Sequence, residues 1–140
     1  MSYKARSARA FLAEPWVGML GVAAPARAPL VVPVWYALDA GGRPWFVTPK
    51  TSFKSRLIEA SGRITLTAQN DRRPYAYVSV EGTALMQTAA FEDIQEMSAR
   101  YLGPKAGAEY AARMREAMDG NTRWRVTLEP ERWSTYGLDD

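Results

Sequence analysis

Apolar residues follow two different periods along the chain, and the switches between them divide it into elements. Near the N-terminus, Ser7–Glu14 predicts a short helix capped by Ser7, with Phe11 and Leu12 inward and Pro15 as its stop. From residue 16 the spacing is that of strands. Trp16–Ala24 predicts a first strand, in which Gly18 and Gly21 mark a bend or a close backbone approach. A turn follows at Pro25–Pro29. Leu30–Leu38 predicts a second strand. One face carries Leu30, Val32, Val34, Tyr36 and Leu38, and the other carries Val31, Pro33, Trp35 and Ala37. Both faces are apolar, whereas an antiparallel strand ordinarily shows water one of them. This strand therefore calls for two covers: a barrel core on one side, and a partner subunit, a ligand or a helix on the other. Pro33 has no N–H for a ladder and belongs at an edge or a bulge.

Asp39–Arg43 predicts a hairpin turn with Gly41-Gly42 supplying positive φ, followed by a strand over Pro44–Thr48. Ser52–Ala60 predicts a helix with Ser52 as N-cap and Gly62 as the stop. In Arg63–Asn70, Ile64, Leu66 and Ala68 alternate with Thr65, Thr67 and Gln69, the pattern of a half-buried strand. After a turn at Asp71–Pro74, Tyr75–Thr88 predicts a long strand with a bulge at Gly82. The period then lengthens. Phe91, Ile94, Met97, Ser98 and Tyr101 are spaced as a helix face, with Glu92 and Asp93 in the first turn and a break at Gly103-Pro104. A second helix over Lys105–Asp119 places Tyr110, Met114 and Met118 together and ends at Gly120-Asn121. Trp124–Leu128 predicts the last strand, followed by a turn at Pro130 and an extended tail, Trp133–Leu138. About six strands joined mostly by hairpins predict a mainly β fold, an antiparallel β-barrel with helices and not a doubly wound sheet. At 140 residues a single domain, 1–140, is expected.

Composition narrows the chemistry. The chain has no cysteine, so it has no disulfide framework and no thiolate nucleophile or metal ligand. It has no histidine, which removes His-dependent triads, histidine metal sites and haem ligation through His. Catalysis must come from carboxylates, tyrosines, hydroxyls, Lys/Arg or a bound cofactor. A net charge of +3 suits an anionic small molecule as well as a nucleic acid. The N-terminal stretch is too polar for the apolar core of a signal peptide, and no apolar run approaches the ~20 residues of a membrane span. A soluble cytoplasmic protein with no membrane partner is expected.

Thr48–Arg56 concentrates the candidate chemistry. Between Asp39 and Glu59 there is no acidic residue, while Arg43, Lys50, Lys54 and Arg56 all fall in that gap. Thr51 and Ser52 stand at a helix start, where free N–H groups and the positive dipole end favour an anion. Ser52 and Lys54 are spaced so that both can reach one phosphate. An ordinary capped helix start gives the same pattern. The doubly apolar strand adds a second half: a planar aromatic ligand lying against Val32–Trp35, with its phosphate at Ser52 and Lys54, has the layout of flavin mononucleotide. Trp35 and Tyr36 serve equally well as core or dimer interface.

The order PVWYALDAGGRPWFVT, Ser52-x-Lys54, RITLTAQ and VSVEGTA, with ARYLG at Ala99–Gly103 and the closing ERWSTYGL, resembles the pyridoxamine-5′-phosphate-oxidase-like family over about residues 8–138. It is most similar to the small flavin/deazaflavin-dependent oxidoreductase branch. The resemblance implies a split β-barrel of the FMN-binding type. It implies that Val32, Pro33, Val34 and Trp35 line the ring, that Thr48, Pro49 and Lys50 border the ribityl chain and phosphate, and that Ser52 and Lys54, with Arg56, bind the phosphate. It also implies that Gln69 approaches the ring edge. FMN is the implied cofactor, with the deazaflavin coenzyme F420 as the alternative. The implied assembly is a homodimer with its cofactors at the subunit interface, to which Trp124, Arg125 or Trp133 would contribute. The chain departs from the family pattern in two places. The turn before the second strand reads Ala24–Pro29 where an Asp-Gly-x-Pro turn is usual. The C-terminal Arg-x-His substrate clamp is absent, which argues against oxidation of vitamin B6.

These expectations converge on an oxidoreductase transferring a hydride to or from a small organic substrate. No acid or base is mandatory for that chemistry, although Tyr36, Tyr75, Tyr77 and Tyr101 are the candidate proton donors. Glu81 is expected to pair with an arginine. Two rivals are a non-catalytic flavin-, haem- or ligand-binding protein on the same barrel and a small nucleic-acid-binding barrel using Arg72, Arg73, Tyr75 and Tyr77. The weak net charge argues against the latter, and no nucleic-acid partner is expected.

Overall fold

The structure, a computed structural model, describes residues 3–117 and 121–138. The expectations for Met118, Asp119 and Gly120 lie outside the described residues. Among the described residues seven strands form one antiparallel sheet: β1 (Gly18–Val22), β2 (Leu30–Val34), β3 (Ala37–Leu38), β4 (Pro44–Pro49), β5 (Arg63–Gln69), β6 (Tyr77–Thr88) and β7 (Arg123–Tyr136). The helices are α1 (Tyr3–Leu12), α2 (Phe53–Ser61), α3 (Phe91–Leu102) and α4 (Pro104–Ala117). The spatial order is β2-β1-β5-β6-β7-β4-β3. Its two edge strands are consecutive in the chain, joined only by Trp35 and Tyr36. Three residue steps span at most about 11 Å, so the sheet curls until its edges nearly meet. No ladder joins β2 to β3. The fold is a barrel left open along one seam.

Predicted strand Leu30–Leu38 is therefore two strands on opposite edges. Its alternation survives the break: Leu30, Val32, Val34, Tyr36 and Leu38 all pack with the barrel core. The break falls where side chains of α3 take the place of a ladder. The Tyr36 N–H donates to Tyr101 Oη at 3.1 Å, and the Tyr36 carbonyl accepts from Arg100 Nε at 2.8 Å and Tyr101 Oη at 3.0 Å. Pro33 lies on an edge strand, as a residue without an N–H requires.

Two cores result. The larger fills the barrel with Leu20, Val22, Tyr36, Ile58, Leu66, Val78, Val80 and Val126. The smaller lies outside it, where Met97 of α3 packs on Ala37 and Trp45, flanked by Trp35, Val47 and Tyr101.

Most boundaries follow the apolar pattern. The exceptions are at the termini. The first helix spans Tyr3–Leu12 and not Ser7–Glu14. The expected turn at Pro130 is absent, and Arg123–Tyr136 runs as one strand. The bend is taken up instead by a bulge: Glu81 pairs with Arg132 but Gly82 pairs with Pro130, leaving Glu131 as the extra residue. A Cβ at Gly82 would collide with the Glu129 carbonyl oxygen, so the partner strand approaches as only glycine allows. The Ala24–Pro29 turn closes the first hairpin in register Val22↔Leu30. At the second, the Asp39 carboxylate accepts from the amides of Gly41 and Arg43 and from Arg43 Nε. Burial pushes its pKa up, but these bonds outweigh burial and hold it below the usual carboxylate value. Glu81 meets Arg132 at 3.5 Å, the expected pairing. No described helix is long and apolar enough to cross a membrane.

Candidate functional site

A cleft of about 230 Å³ lies at the open seam. Pro33, Val34 and Trp35 supply one wall from the end of β2. Val47 of β4 and Lys54 of α2 supply the floor and one end. Ile94, Met97 and Ser98 of α3, with Tyr110 and Met114 of α4, form the opposite wall. Arg123, the first residue of β7, completes it.

Each side chain is held for a local reason. The Trp35 indole lies flat on Tyr101, with centroids 4.9 Å apart and planes 2° from parallel, and meets Tyr110 at 6.0 Å. Tyr101 is itself fixed, because its hydroxyl donates to the carbonyl of Trp16 at 2.7 Å or of Tyr36 at 3.0 Å and accepts from the Tyr36 amide. Beside it, Arg100 donates to the carbonyls of Leu12, Ala13, Glu14 and Tyr36, closing the C-terminal end of α1. The Tyr36 hydroxyl donates into the same group of carbonyls. Burial pushes its pKa well above the ordinary phenol value, and the nearby Tyr101 adds to the effect. Tyr36 is thus a fixed neutral donor and not a proton source. Tyr75 and Tyr77 are exposed and do not line the cleft, and Tyr101 is engaged, so the cleft's own hydroxyls are Ser98 and Tyr110.

The helix start at residue 52 takes the form of a cap. Ser52 Oγ accepts from the Ser55 amide at 3.2 Å, donates to Ser55 Oγ at 2.9 Å and stands 3.1 Å from Thr48 Oγ1. With Thr48 as donor, one donor and two acceptor positions are all used. Ser55 Oγ passes the chain on to the Pro49 carbonyl at 2.7 Å. This network fixes the backbone from which Lys54 enters the cleft.

Of the expected site residues, the structure brings Pro33, Val34, Trp35 and Lys54 together. The others lie outside the lining, each for a visible reason. Val32 points into the barrel core. Thr48 is fully buried behind Ser52, and Pro49 and Ser52 serve the cap. The Lys50 ammonium donates to Thr88 Oγ1 at 2.8 Å and sits over the Trp124 ring. Arg56 faces solvent. Gln69 is exposed on β5 opposite Tyr77. Trp124 and Trp133 pack against the barrel core, and Arg125 pairs with Asp93. Arg72 is exposed and paired with Asp71.

Sequence reasoning missed the helical wall and Arg123. The Ile94–Met97–Ser98 and Tyr110–Met114 faces read as ordinary core stripes. Nothing local separates Arg123 from Arg125 in the sequence, yet their environments differ. Arg125 Nη1 is 2.8 Å from Asp93, and its guanidinium lies 4.0 Å above Trp45. Among the described residues no ion pair engages Arg123 or Lys54. Arg123 Nε is buried with no hydrogen-bond partner, which costs about 1–3 kcal/mol if nothing supplies an acceptor. Among the described residues no carboxylate lines the cleft. A flat aromatic wall, two cations without counter-ions and a buried donor awaiting an acceptor fit a planar ligand carrying an anionic group.

An open antiparallel barrel with a seam of this kind is a split barrel. The chain matches the pyridoxamine 5′-phosphate oxidase family over residues 5–137 and belongs to that family. No curated protein matches it. Among solved structures, a conserved hypothetical protein from Mycobacterium tuberculosis is 21% identical, with a TM-score of 0.76 and coverage of 97% of this chain and 84% of that one. An F420 reductase is 21% identical, with a TM-score of 0.71 and coverage of 90% and 94%. A heme binding protein from Mycobacterium smegmatis is 20% identical, with a TM-score of 0.69, and this chain spans 55% of its length. These likenesses establish the shared fold.

Proposed function

We propose that this protein is an oxidoreductase that binds FMN or the deazaflavin coenzyme F420 in the seam cleft and transfers a hydride to or from a small organic substrate. The observation that carries this is the cleft's polarity: a lining, free of carboxylates among the described residues, that runs from the Trp35 wall to Lys54 and Arg123. Family membership and a shared fold with an F420 reductase support it. Haem suits the chain less well, because the usual His and Cys ligands are absent from the sequence.

When bound, such a cofactor supplies the hydride chemistry. The chain's own residues bind and orient. Lys54 and the first-turn amides of α2 hold the phosphate, with Ser52 acting through the cap that sets their position. Trp35, locked on Tyr101, gives the ring a flat wall, and Met97, Met114 and Ile94 exclude water. Ser98 and Tyr110 offer the polar contacts, and Tyr110 is the phenol placed to hold or pass a proton.

A cleft of about 230 Å³ is smaller than the ~300–1,000 Å³ of whole cofactor sites, which favours a site completed by a second copy. The outward side chains of β1, β2, β6 and β7 include Val31, Met19, Tyr77 and Tyr136, all exposed in the single chain. We place the homodimer contact on that face, next to the cleft through Pro33.

The test is spectroscopic. The purified protein is titrated with FMN and with F420 while absorbance and fluorescence are followed. Uptake of one of them at micromolar concentration is expected. Failure to take up either would overturn the proposal.

A further inference from the structure

We infer that Arg123 is the second cation of the phosphate site, facing Lys54 across the cleft and doing what the sequence assigns to Ser52 and Arg56. The inference rests on the cofactor reading above and gives Arg123, which that reading only counts in the lining, a direct contact with the phosphate.

Three observations converge on it. First, placement: Arg123 pairs with Pro49 in the β4–β7 ladder, beside the corner that leads into Thr51, Ser52 and Lys54. The start of β7 and the start of α2 therefore approach one another, and both Arg123 and Lys54 line the cleft. Second, availability: Arg123 Nε is buried and unpartnered, and no ion pair among the described residues takes up its charge. Arg125, two residues on and facing the same way, also has a buried Nε without a partner, but its charge is taken up by Asp93 and it lies over Trp45. A guanidinium presents several N–H donors in a planar fork that matches phosphate oxygens. Third, elimination: the Ser52 hydroxyl is used up by Thr48 and Ser55, Lys50 is engaged by Thr88 and Trp124, and Arg56 faces solvent. The cations lining the cleft that are left for a phosphate are Lys54 and Arg123.

The ligand chemistry is a ribityl phosphate, which FMN carries as a monoester and F420 as a diester. The experiment compares each with its phosphate-free counterpart: FMN with riboflavin, and F420 with the deazaflavin lacking the phosphate. Dissociation constants are read by fluorescence titration for the wild type, Arg123→Gln and Arg123→Lys, with circular dichroism to check that each is folded. Arg123→Gln is expected to weaken binding of the phosphate-bearing member by about tenfold or more. The phosphate-free member should bind unchanged, and Arg123→Lys should recover part of the loss. The pair that responds identifies the cofactor. Unchanged affinity in Arg123→Gln, or an equal loss for both members of a pair, overturns the role of Arg123 while leaving the cofactor site standing. If the wild type takes up neither phosphate-bearing cofactor, the site reading itself falls, and the role of Arg123 with it.

Discussion

The outward side of Leu30–Leu38 meets two fates within one short run. Val31 is 58% exposed and Pro33 is exposed too, whereas Ala37 is 3% exposed and Trp35 is stacked beneath Tyr101. All four side chains point away from the barrel core, and all four are apolar or nearly so. The difference lies in where α3 lands. Arg100 and Tyr101 bond to the Tyr36 backbone, so the helix that carries them covers Trp35 and Ala37 and stops short of Pro33. The cleft opens where this intramolecular cover ends. The bare half is where we place the second copy. A single apolar pattern thus carries one cover supplied within the chain and, in the proposed dimer, a second supplied by another copy.

The largest expected effect comes from removing the latch that creates the difference. Arg100→Met abolishes four hydrogen bonds to the carbonyls of Leu12, Ala13, Glu14 and Tyr36. Tyr36 Oη and Tyr101 Oη still serve some of these acceptors. A loss of about 3 kcal/mol is expected, read as a fall in melting temperature of roughly 10 °C. Trp35 fluorescence should also lose its fixed environment as α3 loosens. A variant that melts with the wild type would mean that the cover depends on the Met97–Trp45 packing and not on the latch.

Val31→Glu acts on the other half. A carboxylate there stays in water in the single chain, so stability should change by less than about 0.5 kcal/mol. Buried against a second copy it would be an unpaired charge, and association should weaken at least tenfold. Sedimentation velocity across a concentration series reads this directly. A wild type that sediments as a monomer at all concentrations would sink the homodimer and leave the bare half without a partner.

Much of this was legible in the sequence because it depends on alternation. The even–odd pattern from Leu30 to Leu38 holds through the whole run, and Gly82 and Gly62 fall where the bulge and the helix cap are found. What was not legible depends on contacts far apart in sequence. The break between β2 and β3 at Tyr36 is set by side chains more than sixty residues away. Ser52 looked like a phosphate ligand because a capping hydroxyl and an anion-binding hydroxyl occupy the same position in a helix. Only the positions of Thr48 and Ser55 show that its bonds are already taken. Arg123 and Arg125 are indistinguishable by local pattern, and the packing of Asp93 separates them.

The smallest effect tests how tightly the latch closes the barrel end on the inward side of the same run, at Tyr36. Tyr36→Phe removes two hydrogen bonds to carbonyls that Arg100 also serves. The acceptors are not orphaned, so a cost of about 1 kcal/mol is expected at neutral pH. The pH dependence is more diagnostic. Burial raises the folded-state pKa of Tyr36 above that of the unfolded phenol, so the folded chain holds a proton that the unfolded chain gives up first. Stability from this group is therefore complete below about pH 10 and is lost as the pH climbs toward the folded value. Denaturant titrations at pH 8 and pH 11 should show the wild type losing about 1 kcal/mol more than Tyr36→Phe over that interval. The other tyrosines are common to both proteins and cancel in the difference. Equal losses would mean that Tyr36 ionises in the folded state. The barrel end that Arg100 and the carbonyls of Leu12 and Glu14 close around the Tyr36 phenol would then be open to water.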